Sequence, residues 1–193
     1  MKALMAVYAI GLAGWMLVIF AFSSQPLSKQ DMKPWLARQV AKIDMERWFG
    51  GVRFEYGELT VSLQSLGPAG FAEFFIRKAS HFAEYAVLAS LLYLTLRLRV
   101  RKAVVLLPVV AVLCLLFAVT DEFHQAGVAG RTPLPQDVLL DTTGACFGLL
   151  ACQLAARFGA ARRRRRARRA QGEQREQREQ GARAYGRSEG RIR

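Results

Sequence analysis

The chain has 193 residues, 52% of them hydrophobic, and a formal net charge of +13 at pH 7. That length suits one domain or one bundle, and an apolar majority beside so large a charge excludes an ordinary soluble globule; the two coexist where apolar spans are flanked by basic ends. Cys114, Cys146 and Cys152 all lie in apolar runs, with no CxxC or Cys/His spacing, which argues against a disulfide framework and a zinc site.

Ala3–Phe22 carries no charge over twenty residues, the length a helix needs to cross a hydrocarbon core of ~30 Å. Lys2, this run and the following "AFS" also resemble a secretory signal. Cleavage there would leave three spans and change the side of no later loop. Residues 23–77 form a connection too long to be structureless in a compact protein. Within it, Pro34–Phe49 places Pro in a first helical turn. Trp35, Leu36, Val40, Ile43 and Trp48 then make an approximate apolar stripe, suited to the membrane surface or equally to the top of a bundle. Val52–Gln64 alternates like a hairpin with weak turn chemistry, and "GPAG", Gly67–Gly70, is placed to start the next helix.

The second span is expected over about residues 78–97, since Phe82–Leu96 carries only Glu84 as a charge. The third covers 103–120, without the polar face a soluble helix would show. The fourth covers 138–156, interrupted only by Asp141. Beyond it, residues 157–193 are rich in arginine and glutamine and poor in apolar side chains. Such a tail is expected to be disordered or only partly helical. From Leu154 onward fourteen arginines face four glutamates. Beside a membrane helix, anionic lipid headgroups attract such arginines at ~1 kcal/mol each, a better reading than nucleic-acid binding.

Lys2, "RLRVRK" at Arg97–Lys102 and "RRRRRARR" at Arg162–Arg169 fall on one side of a four-span chain. The positive-inside rule makes that side cytoplasmic, with both termini, and places residues 23–77 and 121–137 outside. The expected fold is all-α: a polytopic bundle of four transmembrane helices, with a long outer loop and a basic tail.

Polar residues gather at the outer boundary. On a helix, Arg77, Lys78, His81, Glu84 and Tyr85 occupy neighbouring positions. Asp121, Glu122, His124 and Gln125 end the third span, Arg131 lies in the next loop, and Asp137 and Asp141 share a face of the fourth. Ionisable groups at the edge of a bundle mark a functional site by default. Arg77 reads as a residue snorkelling to the headgroups. Glu84 and Asp141 lie within apolar runs and need a partner, with Lys78, His81 and Arg131 available. A purely structural ion-pair network is the competing explanation. His81 with Glu84, or Glu122 with His124, could perform acid–base work. No metal site and no cofactor motif is evident. Cations beside carboxylates would suit a phosphorylated or amphiphilic ligand.

Several stretches together resemble the VanZ-like family: "FSSQP" (Phe22–Pro26), "RKASHFAEYAVLA" (Arg77–Ala89), "DEFHQ" (Asp121–Gln125) and "GRTPLPQDVLLDTTGACFG" (Gly130–Gly148). Lys78, His81, Phe82, Tyr85 and Leu88 fit the first family pattern. Glu122 and Gln125 fit the second, Gly130 and Arg131 the third, and Asp137, Gly144 and Gly148 the last. Asp141 stands where the family often has asparagine. The resemblance implies an integral protein of the bacterial cytoplasmic membrane, whose founding member is associated with resistance to the glycopeptide teicoplanin; it supplies no reaction. His81, Glu84 and Glu122 are then the candidate catalytic groups. Lys78, Tyr85, Gln125, Arg131, Asp137 and Asp141 are the candidate ligand-binding groups. The expected partners are the lipid bilayer and an envelope lipid precursor or other amphiphile.

Overall fold

The computed structural model describes residues 2–189, with side chains described to Gly172 apart from that of Ala170. The last four residues of the basic tail lie outside the described residues. The chain divides into two units, Met1–Leu150 and Ala151–Arg193.

Helix α1 (Lys2–Ser23) turns one stripe inward: Met5, Tyr8, Leu12, Trp15, Ile19 and Ser23 are half-buried or buried at helical spacing. Val7, Ile10, Leu17 and Phe20 on its other faces are exposed. In α5 (Ala103–Gln125) the buried stripe is Leu106, Val110, Cys114 and Ala118, then Asp121, Glu122 and Gln125. Such apolar exposure on the remaining faces has no place in water and is natural in lipid. With α4 (Leu63–Arg97) and α6 (Pro135–Glu189), four helices are long and apolar enough to cross a membrane, the last of them over Pro135–Arg169. The fold is a bundle of these helices, and they make the chain a multi-pass membrane protein.

The long connection after α1 is folded. A 3₁₀ turn (Leu27–Gln30) leads to α2 (Lys33–Val40) and α3 (Met45–Phe49). The single helix anticipated over Pro34–Phe49 is broken because Asp44 accepts a hydrogen bond from the Arg47 amide and starts a new helix, as an N-cap does. Leu36 and Val40 are buried, whereas Trp35 and Trp48 remain 54% and 71% exposed. Strands β1 (Arg53–Tyr56) and β2 (Leu59–Ser62) pair antiparallel, Arg53 opposite Ser62 and Tyr56 opposite Leu59. The hairpin expected over Val52–Gln64 is thus present, on a mostly helical fold. A small core of Val61, Leu63 and Phe71, with Met45, Val52, Tyr56, Leu66 and Phe74 against it, joins the hairpin to the next helix.

That helix, α4 (Leu63–Arg97), opens with a capping box between Ser62 and Ser65 and is kinked at Gly67, where φ is +67°. It therefore begins well before Lys78, and its first turns belong to the hairpin's core. Helix α6 (Pro135–Glu189) buries Asp137, Asp141, Gly144, Ala145, Gly148 and Leu149 along one face. A Cβ at Gly144 would collide with the Phe82 carbonyl of α4, and one at Gly148 with that of Ala86. The two glycines, four apart, thus let the backbones of α4 and α6 touch, as small residues do in membrane bundles. In the second unit the backbone of α6 stays helical to Glu189, as its alanine, arginine, glutamine and glutamate favour. Side chains from Ala160 to Arg169 are all exposed, so no face of the helix is packed over those residues.

Candidate functional site

The polar residues meet at one end of the first unit, around an open cleft of about 940 Å³. Its walls are the first turns of α4, the hairpin turn at Gly57–Leu59, and the loop from Gly130 to Asp137. Arg77, Lys78, His81, Gln125, Arg131 and Asp137 all line it. Arg77 therefore faces the cleft wall and not simply the headgroups.

Three polar groupings surround the cleft. In the first, Asp137 Oδ1 accepts from Lys78 Nζ and from the Tyr56 hydroxyl, each at 2.5 Å. The ammonium of Lys78 also lies 4.4 Å from the centre of the Tyr56 ring, a cation–π contact. Asp137 sits in the first turn of α6, where the helix dipole favours a carboxylate. Burial, and then the hydrogen-bonded Asp137 carboxylate, hold the Tyr56 phenol well above its ordinary pKa, so it remains a donor.

In the second, Ser23 Oγ donates to Asp121 Oδ2 at 2.8 Å, and Gln125 Nε2 donates to the same oxygen at 3.0 Å. Arg131 joins this group through Gln125. Its Nη1 donates to Gln125 Oε1, its Nε to the Gln25 carbonyl, and its Nη2 to the Phe22 carbonyl and Gln30 Oε1, over 2.7 to 3.2 Å. The guanidinium does not pair with Glu84, Glu122 or Asp141 as anticipated; its fan of donors matches carbonyls at the end of α1 instead. Burial, and after it the nearby Arg77 guanidinium, pull the Arg131 pKa below its ordinary value, although arginine stays charged. Glu122 is engaged elsewhere, accepting from the Leu134 amide just before α6.

The third lies at the cleft floor. His81 Nδ1 is 3.4 Å from Asp141 Oδ1. Neither atom has a hydrogen-bond partner, nor has the buried hydroxyl of Tyr85, one turn along α4 from His81. Tyr85 is 0% exposed and Asp141 1%.

Two anticipated pairings are absent among the described residues. The Glu84 carboxylate is in no ion pair, and only its backbone carbonyl is used, by Trp15 Nε1 at 2.9 Å. His124 contacts Ser24 Oγ at 2.9 Å and stacks on Phe20, away from Glu122. Acidic groups and His81 do not converge on a point that could hold a metal ion among the described residues.

Sequence reasoning missed Tyr56, Ser23 and Glu73. Glu73 Oε1 accepts the Met32 amide at 2.9 Å, and its other oxygen lies 3.7 Å from Lys33 Nζ, so it ties α2 to α4. The signal available for Ser23 was its place in "FSSQP"; nothing local marks Tyr56.

No curated protein and no solved structure matches the chain. The family model described as VanZ/LLP1 matches residues 7–156, a range that holds most of the first apolar stretch, the other three and every group around the cleft. The chain belongs to the VanZ/LLP1 family.

Proposed function

We propose that this protein binds an anionic amphiphile, a lipid-linked or phosphorylated envelope precursor, at the outer face of the bacterial cytoplasmic membrane. Its role would be envelope maintenance, with lowered susceptibility to glycopeptides such as teicoplanin as one outcome. The distribution of basic flanks supports cytoplasmic termini and an outward cleft.

The observation that carries the reading is the charge left over in the cleft. Lys78 is matched by Asp137, and Lys33 by Glu73. Arg77 and Arg131 line the same cleft with no carboxylate in an ion pair with either, among the described residues. Glu58, also on the wall, is exposed. Two guanidiniums lining one cleft suit the oxygens of a phosphate.

A binding measurement tests this. The full chain in phosphatidylcholine nanodiscs should retain a prenyl pyrophosphate, and Arg77→Gln should weaken retention about tenfold, one charge-assisted contact of ~1.4 kcal/mol. Wild-type retention in Arg77→Gln and Arg131→Gln alike would refute the reading.

A second reading has its own support: the Lys78–Asp137–Tyr56 cluster is the kind of buried network a scaffold would use for register. Under that reading the cleft binds nothing, and only stability responds to these substitutions.

A further inference from the structure

His81 stands where the open cleft meets the closed bundle. The residue lines the cleft, yet its Nδ1 is buried against Asp141. The crossing of α4 and α6 explains the juxtaposition: Gly144, one turn after Asp141, touches the backbone at Phe82, the residue after His81. At 3.4 Å, His81 Nδ1 and Asp141 Oδ1 are within ion-pair reach but share no hydrogen bond; a small turn of the imidazole that closes this gap sets its tautomer, Nδ1 protonated and Nε2 carrying the lone pair. The carboxylate also steadies the imidazolium when Nε2 takes a proton. Of the two ring nitrogens, only Nδ1 is fully buried without a partner, and the residue itself lines the cleft.

We propose that His81 and Asp141 form a hydrolytic dyad that cleaves a phosphoanhydride carried by a membrane-anchored amphiphile. This rests on the reading that the cleft takes such a ligand, and it names the reaction. Arg77 and the remaining Nη1 donor of Arg131 hold the terminal phosphate. His81 Nε2 takes a proton from water as the water oxygen bonds to the terminal phosphorus. The bridging P–O bond breaks, and its electron pair leaves on the bridging oxygen. The products are inorganic phosphate and the lipid monophosphate, and the proton passes from His81 to solvent.

The donors around the cleft select an anhydride over a simple ester. An alkoxide leaving group needs an acid at its oxygen. The Tyr56 hydroxyl spends its single proton on Asp137, and the Lys78 ammonium, though two of its N–H donors remain, is pinned by its ion pair with the same carboxylate. A departing phosphate is stable as an anion and requires no such acid.

The full chain in phosphatidylcholine nanodiscs should release inorganic phosphate from a prenyl pyrophosphate. His81→Ala and His81→Asn should each lower the rate about 100-fold, the ordinary worth of a general base, while still retaining the lipid. Asp141 acts through His81, so Asp141→Asn should lower kcat and leave KM unchanged; Arg77→Gln should do the reverse. Lipid bound by the wild type but not cleaved would overturn the dyad and leave the binding reading intact, whereas absence of binding removes both. Undiminished turnover in either folded His81 variant would overturn it as well. Cleavage of inorganic pyrophosphate but not of the prenyl form would overturn the lipid-anchored substrate.

Discussion

At the scale of single residues, the cleft separates groups held for structure from groups left free. Asp137 serves two donors at once, so Asp137→Asn strands the Lys78 ammonium in a largely buried place. Breaking such a pair from one side costs about 3–5 kcal/mol, and thermal unfolding of the variant in nanodiscs should show a marked drop. Glu84→Gln should be nearly silent in the same measurement, since its carboxylate is in no ion pair among the described residues. A large loss there would reveal a partner for Glu84. For Arg131→Lys, one ammonium cannot reach the four acceptors that the guanidinium spans. Losing charge-assisted bonds of this kind costs about 1.5–3 kcal/mol. The expected result is a lower melting temperature and a loosened loop from Gly130 to Leu134, seen as faster hydrogen exchange of those amides.

Among the helices, the contact of α4 with α6 carries the site. Gly144→Ala forces a methyl into the Phe82 carbonyl and should destabilise by about 1–3 kcal/mol, as overfilling does. Gly159→Ala meets nothing within 4 Å and should raise helix stability slightly, by up to about 1 kcal/mol. Equal melting temperatures for the two variants would mean that the helices can separate freely. This crossing also explains what could be read in advance. Four long apolar stretches, two of them broken by a single charge, announce helices whatever their partners, and Asp137, Asp141, Gly144 and Gly148 reveal their common face through a spacing of three and four. The pairing across the interface has no such local signature. Lys78, His81, Glu84 and Arg131 each had several acidic or basic neighbours at one depth, and rotation of each helix decides among them. Tyr56 arrives from a hairpin whose position depends on a phenylalanine-rich core, so no periodicity points to it. The break between α2 and α3 was readable only in hindsight, because Asp44 caps as well as it solvates.

For the molecule as a whole, the arrangement of basic flanks makes orientation testable. In a cysteine-free background, an impermeant thiol reagent applied from outside should label a cysteine at Gln64 and spare one at Arg99. Labelling at Arg99 would place the cleft on the cytoplasmic side. Truncation after Gly159 should leave the prenyl pyrophosphate bound as before, because among the described residues none around the cleft lies beyond Asp141. Weaker binding by a correctly inserted truncation would assign the tail a part in ligand capture.

The Asp137 carboxylate also sets an order of events during synthesis. Lys78, in the second span, and Tyr56, ahead of it, leave the ribosome long before the acid that joins them. Until the last span arrives, the nascent chain holds an ammonium at the membrane edge with only the Tyr56 and Phe74 rings nearby. His81 waits in the same way for Asp141. The contacts of Lys78 and His81 therefore close last, with the fourth helix, after the group around Asp121 and Arg131 has all its members. A nascent chain halted at Arg131 would hold Lys78 and His81 without either of the carboxylates that face them in the finished fold.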